Sequence, residues 1–246
     1  TIKYYKKHVV EAQQVTKPFT RHVILHNLFF VTMTNYEKNL SCSAAYPTEQ
    51  LAYTLGEVIA AAKLRQLRVS ETEKERFVTF YFNGMHETPF HGEDHIIVPS
   101  PKVATYDLAP AMSAVELTDQ LINRITSDIY ALTVVNFANP DMVGHTGNIT
   151  AAISACKTTD TCVGRIVEAV LKKDGACIIT ADHGNVEEML DPNGDIDTEH
   201  SGFSVPFIMI HNTYNGNGYT LPKGKLADIA PTILSYMGLV QPKEMT

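Results

Sequence analysis

Three short strings hold side chains with the chemistry of metal ligands: Asp141 and His145 in Asp-Met-Val-Gly-His, Asp182 and His183 in Ala-Asp-His-Gly, and His200 in Thr-Glu-His-Ser. Asp oxygen and His nitrogen suit divalent ions such as Mn²⁺ and Zn²⁺. Asp141 and His145 are four apart, so on a helical turn they share a face and can grip one ion. Alone, that spacing is more often a surface hydrogen bond. His200 follows an acidic loop (Asp191, Asp195, Asp197, Glu199). A loop His is usually just solvated, but as a third ligand it completes an Asp-His-His set with a position open for substrate. Asp182 and His183 are adjacent at a strand end, where neighbouring side chains point in opposite directions. Such a pair serves one ion badly and two neighbouring ions well, as in phosphoryl-transfer sites with ions about 3.5–4 Å apart. The bland alternative is a turn in which Asp182 caps a helix starting near Asn185. Three ligands therefore make one open site, and the other two make half of a second.

Two smaller signals accompany these. Gly144 and Gly147 flank His145 and favour close approach of something to the backbone. In Glu71-Thr-Glu73-Lys74, a Lys held among carboxylates can meet a phosphate as a point charge; the alternative is a solvated helical turn. His22, His26, His86, His91, His95 and His211 show no ligand spacing.

The elements that must position these groups alternate between strand-like and helix-like from residue 28 onward, which argues for α/β layering. Residues 28–34 read as a buried strand. An amphipathic helical stretch runs from Pro47 to about residue 64 with Thr48 as N-cap. Residues 66–69 and 77–82 read as strands, 84–95 as a loop and 96–98 as a short strand. Ser113 opens a helix to about residue 125, with Glu116 completing a capping box. Residues 131–137 (Ala-Leu-Thr-Val-Val-Asn-Phe) are a near-continuous apolar run, as in a central parallel strand. Residues 149–171 show helical periodicity. Residues 176–180 read as a second central strand and 205–210 as a third. Residues 226–237 form a last helix, kinked or restarted at Pro231. Asp141 and His145 thus follow one strand and Asp182 and His183 another, at the carboxyl ends where open α/β sheets place their sites.

Composition excludes some classes. The chain has 246 residues, 44% hydrophobic and 19% charged, enough for one large domain or two small ones. A net charge of −7 offers no electrostatic footprint for nucleic acid. No apolar run approaches the roughly 20 residues of a membrane span, and no signal peptide opens the chain. Cys42, Cys156, Cys162 and Cys177 form no CxxC pair, which argues for a reducing, cytoplasmic setting, with Cys156 and Cys162 as helix-packing residues. The start at Thr1 fits a fragment or Met removal equally.

Longer strings carry a family resemblance. Residues 136–145 (Asn-Phe-Ala-Asn-Pro-Asp-Met-Val-Gly-His), 180–185 (Thr-Ala-Asp-His-Gly-Asn), 100–107 (Ser-Pro-Lys-Val-Ala-Thr-Tyr-Asp) and 226–232 (Leu-Ala-Asp-Ile-Ala-Pro-Thr) resemble cofactor-independent (2,3-bisphosphoglycerate-independent) phosphoglycerate mutase, of the alkaline phosphatase superfamily. The likeness runs from about residue 31 to the end. Phosphopentomutases and alkaline phosphatases share the metal core but not these strings.

The resemblance implies interconversion of 3- and 2-phosphoglycerate in glycolysis, through a phosphoserine intermediate, with two Mn²⁺ ions (Mg²⁺ or Co²⁺ in some members). It implies that Asp141, His145 and His200 hold one ion and that Asp182 and His183 hold the other, incompletely. Lys74 corresponds to a Lys near the transferring phosphoryl group, with Glu73 beside the substrate. Metals and Lys would neutralise charge on the equatorial oxygens. The implied fold is an α/β, mostly parallel sheet sandwiched by helices, alkaline-phosphatase-like. Residues 85–246 would form the metal-binding phosphatase-like domain, lacking its N-terminal strands and so leaving an exposed sheet edge. Residues 1–84 would be the remnant of a phosphotransferase domain.

Two departures from the family follow. Its N-terminal segment, with the Ser nucleophile and an Asp ligand to the second ion, has no counterpart; Ser100 and Ser201 are poor substitutes. His8 and Glu11 stand where the family's Arg-x-Asp-Arg motif grips substrate, and Glu11 would repel an anion. The chain is accordingly expected to be the C-terminal part of a mutase acting on a small phosphorylated substrate, with no nucleic-acid or membrane partner and a missing N-terminal segment or chain. The alternatives are a truncated, non-catalytic metal-binding homologue or subunit, and another metal-dependent phosphomonoesterase using an activated water.

Overall fold

In a computed structural model, which describes residues 29–36, 42–214 and 220–245, the chain divides into two compact units, Thr1–Gln50 and Leu51–Thr246. The sequence placed that division after residue 84; it falls after Gln50, because the strand Gln66–Glu71 pairs on both sides with strands from beyond residue 84. His8, Glu11, His22 and His26 lie outside the described residues.

In the first unit, β1 (Val31–Thr32) pairs in parallel with β2 (Ser43–Ala44). β1 is much shorter than the strand expected over 28–34.

The second unit is built on β3 (Gln66–Glu71), which lies between β4 (Glu93–Val98) and β5 (Leu132–Val135), all parallel. Residues 131–137 therefore supply a flanking strand of this sheet, and the middle strand is β3. Every residue of β3 is buried. Strand β4 begins three residues earlier than its apolar run because its polar residues find partners. The Glu93 carboxylate accepts from Asn83 Nδ2 at 2.9 Å, and Asp94 pairs with Arg65 at 2.5 Å.

Helices cover both faces. The helix α1 (Leu55–Ala61) starts at Thr54, whose hydroxyl accepts from Glu57 N–H at 3.3 Å. Thr48 is not the cap: Thr54-Leu-Gly-Glu57 carries the Ser/Thr-x-x-Glu signature of a helix start. A single turn over Thr72–Lys74 leads into α2 (Glu75–Val78). Residues 77–82, expected as a strand, instead continue in helical turns closed by Thr79 N–H to Glu75 O and Asn83 N–H to Thr79 O. The aromatic residues that suggested a strand stack on a cation, with Arg76 4.0 Å over Phe80. The helix α3 (Ala114–Ser127) begins where expected, but Ser113 does not cap it. Its hydroxyl donates to Pro99 O at 2.7 Å and its N–H to Glu71 Oε1 at 3.0 Å.

The helices α4 (Asn139–Gly144) and α5 (Ile149–Leu171) complete one layer; the second matches its periodicity end to end. Leu67, Val69 and Val98 from the sheet pack with Leu117 and Leu121 of α3 and Ile166 of α5. Burying side chains of this size stabilises by about 1.5–3 kcal/mol each. On the opposite face Leu55 and Ile59 of α1 meet Leu234 of α6 (Ile229–Tyr236). Pro231 sits in the first turn of α6, after a turn over Leu226–Asp228, so the helix restarts rather than kinks.

β6 (Cys177–Thr180) pairs antiparallel with β7 (Phe207–Ile210) in a separate two-stranded sheet. Neither is the central parallel strand that its apolar sequence suggested. Among the described residues no helix is long and apolar enough to cross a membrane.

Candidate metal centre

Asp141 lies on α4, directly after β5, and His145 caps its C-terminal end. Pro140 in the first turn of this short helix has its φ already set for helix and no N–H to leave unpaired. The four-residue spacing brings His145 Nε2 to 3.2 Å from Asp141 Oδ1. His200 comes from the loop before β7, and its Nε2 lies 3.3 Å from the same oxygen and 3.2 Å from His145 Nε2. The three atoms form a nearly equilateral triangle, and these residues are the metal-capable cluster among those described. Three ligands of a tetrahedral ion with bonds of about 2.0–2.1 Å are separated by roughly 3.3 Å, so the triangle fits such an ion.

Tautomers support the same fit. His145 Nδ1 lies 2.6 Å from Thr198 O, which can only accept, so Nδ1 carries the proton and Nε2 offers a lone pair. The His145 Nε2 lone pair and the Asp141 carboxylate then face each other across 3.2 Å, an arrangement that a cation between them would satisfy.

The Asp141 carboxylate is fixed from both sides. Lys74 Nζ donates to Oδ2 at 2.6 Å and Asn185 Nδ2 to Oδ1 at 2.9 Å. Burial pushes this carboxyl upward, but the Lys74 ammonium, His145 and Asn185 outweigh it and hold it below the usual carboxylate range. Lys74 is 8% exposed, so it is not part of a solvated turn. It also packs 4.6 Å over the Phe77 ring. Glu73 accepts from Tyr106 Oη at 2.7 Å, and Tyr106 is pushed up to about 12 by burial and by this carboxylate.

Asp182 and His183 follow β6 as expected, with a correction. They do not diverge: His183 Nε2 is 3.7 Å from Asp182 Oδ1. The strand ends at Thr180, and in the bend beyond it the alternation of a pleated strand no longer applies. Nor does a helix begin near Asn185. The His183 ring stacks on His200 at 3.7 Å and 20°, which brings both ligand sets to one place. His183 Nδ1 lies 3.2 Å from Gly184 O, an acceptor, which again leaves the Nε2 lone pair free.

The glycines beside His145 have their expected neighbours. A Cβ on Gly144 would overlap the Asn185 amide, and one on Gly147, at φ +71°, would overlap Ile196. Asn185 is the residue that sequence reasoning missed. Its signal was present, since a Gly beside a ligand implies something packed against it.

Comparison with known proteins adds to this geometry. The sequence pattern of the metalloenzyme superfamily matches residues 25–241. The chain is 49% identical over 244 residues to the 2,3-bisphosphoglycerate-independent phosphoglycerate mutase of Shewanella putrefaciens, covering 96% of this chain and 46% of that protein. It is 52% identical over 222 residues to the protein of the same name from Clostridium beijerinckii, covering 89% and 43%. Among solved structures, a Leishmania mexicana phosphoglycerate mutase, crystallised at low cobalt concentration, superposes with a TM-score of 0.78 at 27% identity, over 88% of this chain and 43% of that one. The chain thus spans about half the length of the curated relatives it matches.

Proposed function

The chain belongs to the metalloenzyme superfamily, and on that premise we propose that it supplies the metal-binding part of a 2,3-bisphosphoglycerate-independent phosphoglycerate mutase. Its fold is the alkaline-phosphatase-like one of that superfamily. The observation that carries the proposal is the triangle of Asp141 Oδ1, His145 Nε2 and His200 Nε2, with edges of 3.2–3.3 Å.

Asp141, His145 and His200 would hold one ion, of the Mn²⁺ class given their mixed oxygen and nitrogen donors, with Mg²⁺ or Co²⁺ as substitutes. Asp182 and His183 would contribute to a second. A bound ion supplies charge neutralisation at a phosphoryl oxygen. Lys74, already ion-paired to Asp141, would add a point charge at the transferring phosphoryl group, and Glu73 would face the substrate. The substrate pair in this reading is 3- and 2-phosphoglycerate, the role glycolytic and the setting cytoplasmic, in keeping with free cysteines at 42, 156, 162 and 177.

A narrower reading is favoured by one contact. Ser201, beside His200, spends its hydroxyl on Glu187 and is not presented as a nucleophile. On that reading the chain binds ions and depends on further polypeptide, such as the phosphotransferase domain, for isomerisation. Mn²⁺ titration with a 3-phosphoglycerate isomerisation assay tests both. Binding with turnover supports the mutase in this chain, and binding without turnover supports the narrower reading. Hydrolysis of a generic phosphomonoester without isomerisation would move the assignment to a metal-dependent phosphomonoesterase. Failure to bind Mn²⁺ overturns all three.

A further inference from the structure

Asp141, His183 and His200 come from separate segments, and their own backbones do not set their mutual placement. Two residues that are not ligands in this centre connect them. Asn185, 7% exposed, donates from Nδ2 to Asp141 Oδ1, the oxygen that faces both imidazoles, at 2.9 Å. Its backbone N–H donates to Glu187 Oε2 at 2.9 Å. Glu187 Oε1 accepts from the hydroxyl of Ser201, the residue after His200. Ser201 N–H then returns to Gly184 O at 3.0 Å, beside His183.

Two glycines leave room for this chain of bonds. A Cβ on Gly184 would overlap both Glu187 Oε1 and Ser201 Oγ, and a Cβ on Gly144 would overlap Asn185 Oδ1. Each Glu187 oxygen accepts from a protein donor, and Glu187 stands outside the cluster of Asp141, His145 and His200.

We infer that Asn185 and Glu187 are positioning residues, a hydrogen-bonded bracket that fixes the His183 and His200 segments onto Asp141 so that the donors of both ion sites assemble as one unit. The inference rests on the proposed reading of this centre as a divalent-ion site. It acts through geometry, not charge. A Gln at 187 can still accept from Asn185 N–H and can donate its amide to the Ser201 hydroxyl, which both donates and accepts. An Ala can do neither.

The test is Co²⁺ titration of the 246-residue chain, followed by visible absorption of the ion, with thermal unfolding of the metal-free protein as the fold control. Glu187→Ala and Asn185→Ala are expected to weaken Co²⁺ binding about 10–100-fold, as for other residues that orient ligands, and to alter the absorption bands. Glu187→Gln should keep the wild-type spectrum and affinity. Ser201→Ala, at the far end of the same bond, should reproduce the Glu187→Ala spectrum and carries the test if that variant does not fold. Wild-type affinity and bands in Glu187→Ala would overturn the bracket. So would a Glu187→Gln variant as weak as Glu187→Ala, since charge and not hydrogen bonding would then be at work. If the wild-type chain itself takes up no Co²⁺, the reading of the centre fails, and the bracket with it.

Discussion

His200 and His183 are stacked neighbours with unequal roles. His200 Nε2 belongs to the triangle with Asp141 and His145, while His183 Nε2 has Asp182 as its nearby partner. Removing His200 leaves two donors, whereas removing His183 leaves the triangle whole. His200→Ala should therefore weaken Mn²⁺ binding far more than His183→Ala, and equal losses in calorimetric titration would count against the assignment. A second residue-scale prediction concerns acid stability. Glu93 is buried; burial alone would raise its carboxyl, but His95, Asn83 and Arg68 outweigh that and hold it below its ordinary value. A depressed carboxyl stabilises the fold fully above its unfolded pKa of about 4.3 and loses that contribution as pH falls through the folded value. Glu71, raised by burial, has the opposite sign and partly masks this in the wild type. Comparison with Glu93→Gln isolates it. The variant should be roughly 3–5 kcal/mol less stable at pH 7, because Arg68 is left buried without its charge partner, and the gap should narrow below about pH 4 in denaturant titrations.

At the scale of elements, what was legible depended on whether a local signal had a rival. The helix α5 was readable from end to end because its apolar period runs for many turns. Asn148 caps it, accepting from Ala151 N–H at 3.1 Å and donating to Asp107 at 3.2 Å. Asn148→Ala should cost about 0.5–2 kcal/mol, read as a lower melting temperature, and an unchanged one would show that the cap is dispensable. Residues 77–82 misled because β-branched and aromatic side chains favour strands only when a neighbouring strand is there to receive them. Here they turn helically, and Phe80 and Tyr81 stack on Arg76. Burial of Lys74 was likewise invisible, because its partner Asp141 lies 67 positions along the chain. The metal-ligand strings were readable as chemistry. The mutual placement of Asp182 and His183 was not, since the strand stops just short of them.

For the whole molecule, the proposed ligands are divided between two sheets. Asp141 and His145 follow β5 of the parallel sheet, while His200 precedes β7, whose partner is β6. An ion held by all three would be a removable cross-link between two separately hydrogen-bonded layers. Such a link stabilises by mass action, about 2.7 kcal/mol at a free ion concentration 100 times Kd. Its effect need not be even. β3 is paired on both edges without any ion, whereas among the described residues β6 and β7 have only each other. Saturating Mn²⁺ should slow amide hydrogen exchange in Cys177–Thr180 and Phe207–Ile210 much more than in Gln66–Glu71. Uniform slowing across both sheets would mean that the layers already open together. If exchange does divide this way, losing the ion would fray one edge of the protein while its middle stayed closed. Ion supply would then govern the chain's resistance to proteolysis at β6 and β7 before any effect on its global unfolding.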